Sequence, residues 1–359
     1  TNAAFEERMA ALEGGSGALA LASGMSAQMV ALLTLLEAGD HMVSASTLYG
    51  GTYSQFDVTF RRMGIDTTFV DPDEPENFAA AIKPNTKAIY AETLGNPLTN
   101  VLDFEKVSDI AHAHGIPLVV DNTFATPYLC QPFAHGADIV THSATKFIGG
   151  HGTSMGGVVV ESGQFPWDNG NFPMMMEPSP GYHGVRFYET FGDFGYIMKA
   201  RMETLRTLGP SMSPFNAFMF LQGLESLHVR MDRHCENAQA IVDLLVDHPA
   251  VSHVLYPGLP DHPGHEAAAR QMSAFGGMVS FRVASGRDAA MRMTTTTKVF
   301  SLAESLGAVE SLIEHPGVMT HASAAGSPLE VPDDLVRLSV GIESTQDLID
   351  DVAQALDGL

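Results

Sequence analysis

Residues 138–154 read Asp138-Ile-Val-Thr-His-Ser-Ala-Thr-Lys146-Phe-Ile-Gly-Gly-His-Gly-Thr-Ser154. An apolar run, Ile139-Val140, gives way to the small hydroxyl residues Ser143 and Thr145 around one lysine, and Gly149, Gly150 and Gly152 follow it. A lysine set alone among small polar groups in an apolar neighbourhood is a candidate Schiff-base former, because desolvation lowers its pKa and frees the amine. Lys146 is therefore the first candidate catalytic residue, at the end of a strand expected over 139–142.

The same rhythm recurs upstream. Short apolar runs at 41–44, 67–70, 88–92 and 117–120 read as strands, and helical spacing falls between them at 75–81 and 104–114. Strands alternating with helices imply an α/β fold with a mostly parallel sheet sandwiched by helices. Ligands in such sheets bind at the carboxyl ends of the strands. Three ends carry distinctive residues: Glu92-Thr-Leu-Gly-Asn96-Pro97, Asp121-Asn-Thr123 and the lysine stretch. A carboxylate at one strand end and a lysine at the next suit a pyridinium cofactor, the Asp keeping the ring nitrogen protonated and the Lys bonding the aldehyde. Ser23-Gly24-Met25-Ser26 precedes helical periodicity over 27–38, and a helix start offers N–H groups and a positive dipole end to a phosphate. Leu48-Tyr49-Gly50-Gly51-Thr52 could present an aromatic face to a flat ligand, although a packed tyrosine explains it as well.

Composition narrows the classes further. The 359 residues carry 42 acidic against 19 basic side chains, a formal net charge of -23, which argues against nucleic acid or an anionic membrane as a partner. Cys130 and Cys235 are the only cysteines, so a reducing, cytoplasmic compartment is the expectation. No apolar run reaches the length of a membrane span. His112/His114 and His262/His265 lack carboxylate or cysteine companions at a familiar ligand spacing, so no metal is expected.

Residues 161–184, rich in Gly, Pro, Asn and Met and holding the single Trp167, read as an ordered surface loop or lid, or as a plain linker. One helix is expected over 188–208 and one or two more over 214–248. Beyond them, strands at 251–256, 277–282, 311–313 and 335–340 mix with helices as a smaller α+β unit. The expected division is 1–225 and 226–359.

Taken together, Ser143-Ala-Thr-Lys146 with Gly-Gly-His-Gly, Ser23-Gly-Met25, Leu48-Tyr-Gly-Gly-Thr52, Glu92-Thr-Leu-Gly-Asn-Pro97, Asp121-Asn-Thr123 and Arg337-Leu-Ser-Val-Gly-Ile-Glu343 resemble the Cys/Met-metabolism pyridoxal-phosphate enzymes of fold type I. The resemblance covers essentially the whole chain and implies pyridoxal 5'-phosphate as cofactor. It implies that Lys146 forms the Schiff base, Asp121 pairs with the ring nitrogen and Tyr49 stacks on the ring. Ser23, Gly24, Met25, Ser143 and Thr145 would hold the phosphate, with Thr123 also against the cofactor. Arg337 and Ser305 would bind the substrate α-carboxylate, with Asn96 close by.

Two features point to different branches. Residues 161–184, and Ser213-Pro-Phe-Asn-Ala-Phe218, resemble the O-acetylhomoserine sulfhydrylases, and the former would sit near the cofactor entrance. Leu302-Ala-Glu-Ser-Leu-Gly307 and Val309-Glu-Ser-Leu312 look more like the synthases and lyases. The longer segment favours γ-replacement on O-acetylhomoserine by sulfide or a thiol, with cystathionine γ-synthase or a methionine or cystathionine γ-lyase as the alternative. The family also implies a homotetramer whose active sites are shared across a dimer. Its members carry a leading segment with a Tyr and an Arg that reach the neighbouring subunit's phosphate. These are absent from the 359 residues, so the expectation is either an unseen or removed segment or a phosphate site two donors short.

Overall fold

A computed structural model describes residues 1–321 and 330–359. Seven strands form the first sheet: β1 (Gly17–Leu21), β2 (His41–Ala45), β3 (Asp66–Val70), β4 (Thr86–Glu92), β5 (Leu118–Asp121), β6 (Ile139–Ser143) and β7 (Gly157–Glu161). Their spatial order is β1-β7-β6-β5-β4-β2-β3. Only β7 runs against its neighbours, and the rest pair in parallel. Every residue of β5 and β7 is buried, which is why these strands read as unbroken apolar runs rather than alternating ones. Register aligns the site: Glu92 lies opposite Asp121, and Asp121 opposite Thr141.

The second sheet holds β8 (Val251–Leu255), β9 (Met278–Val283), β10 (Ser301–Leu302), β11 (Leu312–Glu314) and β12 (Leu335–Ser339) in the order β10-β11-β12-β9-β8. Only the β10–β11 pair is parallel. Each sheet has its own apolar core. The helix Leu227–Asp247 joins them, burying Met231 in the first and Ala238, Ile241, Val242 and Leu245 in the second. No helix among the described residues is long and apolar enough to cross a membrane.

Two expectations fail, each for a physical reason. The helix expected over 188–208 is broken: Phe187–Phe191 stops at Gly192 (φ 56), and the chain resumes at Gly195–Lys199 before widening into a π-turn over Ala200–Leu205. The positive φ at Gly192 is left-handed backbone that a continuing helix cannot use. Of the segment 161–184 expected near the cofactor entrance, no residue lines the pocket, and 161–172 form no lid. Phe165, Trp167 and Phe172 are buried, and the Trp167 ring stacks on Tyr196 with centroids 5.4 Å apart. Asn169 Nδ2 and Asn171 Nδ2 donate to the Gly115 carbonyl, and Lys87 Nζ donates to the Asn171 carbonyl. Those contacts lie at the amino ends of β4 and β5, the far end of the sheet from the strand ends that carry Asp121 and Lys146. Three aromatic side chains gain more by burial there than as a polar loop over the entrance.

Candidate active site

A cavity of about 300 Å³ opens at the carboxyl ends of β4, β5 and β6. Ser23, Gly24, Met25, Tyr49, Asn96, Asp121, Thr123, Ser143, Thr145, Lys146 and Arg337 all line it. Ser305 joins through Lys146, whose Nζ donates to Ser305 Oγ at 3.0 Å. Every residue expected at the site from the sequence therefore converges on one cavity.

Each is placed by its local sequence. Ser23 caps the helix Gly24–Leu33: its hydroxyl accepts from Ser26 N–H, and the Ser26 hydroxyl accepts from Ser23 N–H in return. That helix start lies tight against β6, since a Cβ on Gly24 would come within 2.6 Å of the Ser143 Cβ. The Tyr49 ring lies over Gly51, where a Cβ would meet it at 2.4 Å, and Tyr49 N–H donates to Glu92 Oε1 at 2.9 Å. Asp121 is buried and held from both sides. Its Oδ2 accepts from Gln28 Nε2 at 3.2 Å and from the Thr141 hydroxyl at 3.3 Å, while Oδ1 accepts from Thr123 N–H at 2.9 Å. Thr123 then ties β5 to β6, its hydroxyl accepting from Ser143 N–H at 2.8 Å.

Lys146 follows β6 on a turn that Arg230 pins from behind. The buried guanidinium donates to the carbonyls of Phe147, Ile148 and Gly223. It fits because position 150 is glycine at φ 70; a Cβ there would stand 2.3 Å from Arg230 Nη1. Burial, then the charge of Arg337, lowers the Lys146 amine to about 8. Its neighbour Glu92 is driven the other way, well above the ordinary carboxylate range, by burial and by the Asp121 charge.

Arg337 is buried at the bottom of the pocket. Its Nη1 donates to Asn96 Oδ1 at 2.9 Å and Nη2 to the Ser305 carbonyl at 3.2 Å. Glu314 Oε1, 2.9 Å from Nη1, completes a buried ion pair. Burial pulls the guanidinium down and pushes the Glu314 carboxyl up, and their mutual attraction opposes both shifts. His321 Nε2 lies between the Leu48 and Asn96 carbonyls and donates to them, with burial lowering its pKa to about 4. A neutral imidazole with an N–H at Nε2 satisfies both oxygens.

Sequence reasoning missed Gln28 and Glu314. Gln28 carried a usable signal, since it falls one turn after Gly24 on the same face of a helix whose start was already suspected. Glu314 carried none. Only the register placing it opposite Arg337 reveals the pair.

The chain is similar to known proteins over nearly its whole length. The chain is 48% identical to a homocysteine synthase of Schizosaccharomyces pombe, the match covering 98% of this chain and 84% of the relative. It is 46% identical to a cystathionine gamma-synthase of Mycobacterium bovis, over 99% and 84% of the two chains. A crystal structure of a putative O-acetylhomoserine (thiol)-lyase from Campylobacter jejuni superposes with a TM-score of 0.94 at 35% identity, covering 99% of this chain and 86% of that one, and carries a pyridoxyl-lysine phosphate. The family model for Cys/Met metabolism PLP-dependent enzymes matches residues 1–357, and the chain belongs to that family.

Proposed function

We propose that the chain catalyses γ-replacement on O-acetyl-L-homoserine: sulfide displaces acetate at Cγ and gives L-homocysteine, a thiol such as methanethiol giving methionine. The observation that carries this reading is the convergence of Lys146, Asp121 and Arg337 on one cavity in a chain so similar to a homocysteine synthase.

The residues present fit pyridoxal 5'-phosphate, the cofactor of the family. Gly24 leaves a cradle at a helix start, Asp121 is oriented by three donors, and the Lys146 amine is desolvated. When bound, the cofactor supplies an aldehyde that takes up amines and a pyridinium ring that accepts electron density. Asp121 would hold the proton on the ring nitrogen. Ser23, Gly24, Met25, Ser143 and Thr145 would hold the phosphate through N–H and hydroxyl donors at the positive end of the Gly24–Leu33 helix. Thr123 would sit against the ring with Asp121, and Tyr49 would stack on its face. Arg337 would clamp the α-carboxylate, with Asn96 and Ser305 fixing the guanidinium. Lys146, neutral in a large fraction of molecules near pH 8, would take the Cα proton and return it. Tyr49 would assist departure of acetate.

The smaller units of this reading follow the family. Residues 1–225 would form the cofactor-binding domain and 226–359 the smaller domain. The protein would act in methionine biosynthesis as a cytoplasmic homotetramer with active sites shared across a dimer.

The relation to a cystathionine gamma-synthase keeps one rival open, with cysteine rather than sulfide as the incoming thiol. A product assay separates them. O-acetylhomoserine with sulfide is expected to yield homocysteine and acetate, and without sulfide neither homocysteine nor 2-oxobutanoate. Cystathionine from added cysteine at a higher rate would favour the synthase. Oxoacid and ammonia from methionine would favour a γ-lyase and overturn the proposal.

A further inference from the structure

Glu314 has no part in the roles assigned above, yet it is the one carboxylate on the residue expected to hold the substrate's. It lies on β11 directly across from Arg337 on β12, and both are almost fully buried, at 1% and 2% exposure. Glu314 Oε1 lies 2.9 Å from Arg337 Nη1 in an ion pair and accepts from the Thr320 hydroxyl at 2.8 Å. The same nitrogen donates to Asn96 Oδ1 at 2.9 Å. Nη2 spends one of its two on the Ser305 carbonyl, and Nε has no hydrogen-bond partner among the described residues. Among the described residues, Nε and the second hydrogen of Nη2 are therefore without an acceptor. These share one edge and form the side-on fork that a carboxylate takes bidentately. Arg282 grips Asp334 by the same edge, through Nε at 2.8 Å and Nη2 at 2.9 Å.

We propose that Glu314 sets the affinity of this fork for the substrate's α-carboxylate, holding the guanidinium by its Nη1 side and opposing, by its own charge, the arrival of a second carboxylate. The inference rests on the reading of Arg337 as the carboxylate clamp. A buried carboxylate already paired with a cation lowers the attraction that cation offers a ligand, and in a dry site the effect is larger than on a surface. Glu314 thus keeps the clamp from binding simple carboxylates tightly, leaving the amine and the leaving group of the true substrate to supply the remainder.

The test uses the cofactor-loaded enzyme and butanoate, a monocarboxylate with no amine, its dissociation constant read by calorimetry. Glu314→Gln keeps the shape and the Oε1 acceptor and removes the charge. It is expected to bind butanoate roughly tenfold tighter, and to lower KM for the amino-acid substrate by a similar factor with kcat little changed. The double variant E314Q/R337Q removes both buried charges together, leaving neither unpaired, and is expected to lose butanoate binding. Unchanged or weaker binding by E314Q alongside loss in the double variant overturns the role of Glu314 and leaves the clamp reading intact. Undiminished binding in the double variant overturns both. Should E314Q fail to fold, Glu314→Met, which fills the same volume without charge, carries the same expectation.

Discussion

The two ends of the seven-stranded sheet are built to opposite rules. At the carboxyl ends, a buried lysine is held near 8, a buried Glu–Arg pair leaves Glu314 Oε2 and Arg337 Nε without hydrogen-bond partners among the described residues, and glycines admit side chains a Cβ would exclude. At the amino ends, Phe165, Trp167 and Phe172 pack against one another and against Tyr196, and the polar atoms among them are matched. Trp167 Nε1 donates to Glu161 Oε1, and the Tyr196 hydroxyl to the Ala31 carbonyl. Unsatisfied polar groups and desolvated charges cost stability. A desolvated lysine beside a buried Glu–Arg pair at one end, with a tightly packed aromatic cluster at the other, separates the part that reacts from the part that holds.

Substitutions at the two ends therefore ought to fail in different ways. Lys146→Ala removes the one amine in the cavity, and turnover is expected to drop by about 10³-fold or more, with loss of the visible absorbance of the loaded protein. Its melting temperature is expected to hold, because the cost of desolvating the amine offsets its hydrogen bond to Ser305. An active K146A enzyme would end the assignment. Trp167→Ala is the mirror image. Deleting a fully buried indole is expected to cost about 3–5 kcal/mol of stability, measured by denaturant unfolding, with kcat little changed at temperatures where the variant is folded. A large drop in kcat in folded W167A would erase the distinction between the ends.

The reactive end was far more legible in the sequence than the packed one. Parallel strands buried on both faces read as apolar runs, so the positions of Glu92, Asp121 and Lys146 just after such runs could be placed by counting. Ser23 announced a helix start through its capping chemistry. Residues 161–172 hid their purpose, because Gly, Pro and Asn set the average while three aromatics set the structure. Glu314 was invisible for a different reason: its partner is 23 positions away, and only an antiparallel register brings Glu314 to Arg337. Gly192 shows the same limit locally, since a helical pattern with two glycines reads as continuous until the backbone takes a positive φ at one of them.

Glu161 tests whether the packed end is indifferent to charge. Burial raises its carboxyl from near 4.5 to about 7, against the pull of the Ile197 and Trp167 N–H donors. A carboxyl raised in the folded state binds more protons folded than unfolded between those values. Its contribution to stability is therefore complete below the unfolded pKa and lost as pH rises through about 7. At 1.36 kcal/mol per pH unit, the displacement from 4.5 to about 7 amounts to at most about 3 kcal/mol. The wild-type melting temperature is expected to fall, relative to that of Glu161→Gln, between pH 5 and pH 8. Parallel curves for the two proteins would show that Glu161 is ionised throughout.

The smallest effect is a rate profile at the reactive end. An amine at about 8 is neutral in about a tenth of molecules at pH 7 and in about nine-tenths at pH 9. Uptake of pyridoxal phosphate by the apoprotein, followed by visible absorbance, is therefore expected to accelerate about tenfold over that interval and then level off. A lysine at its ordinary value would speed up about a hundredfold over the same interval with no plateau. Phosphate binding adds a factor common to both ends of the interval, because the second phosphate ionisation lies near 6. The plateau, rather than the absolute rate, reports the amine. Since the Arg337 charge helps lower Lys146 and the Glu314 charge opposes it, Glu314→Gln is expected to move the midpoint down and Arg337→Gln to move it up. Opposite displacements from two members of one buried pair would tie the reactivity of Lys146 to the charge beneath it. A midpoint fixed in both variants would show that burial alone sets it.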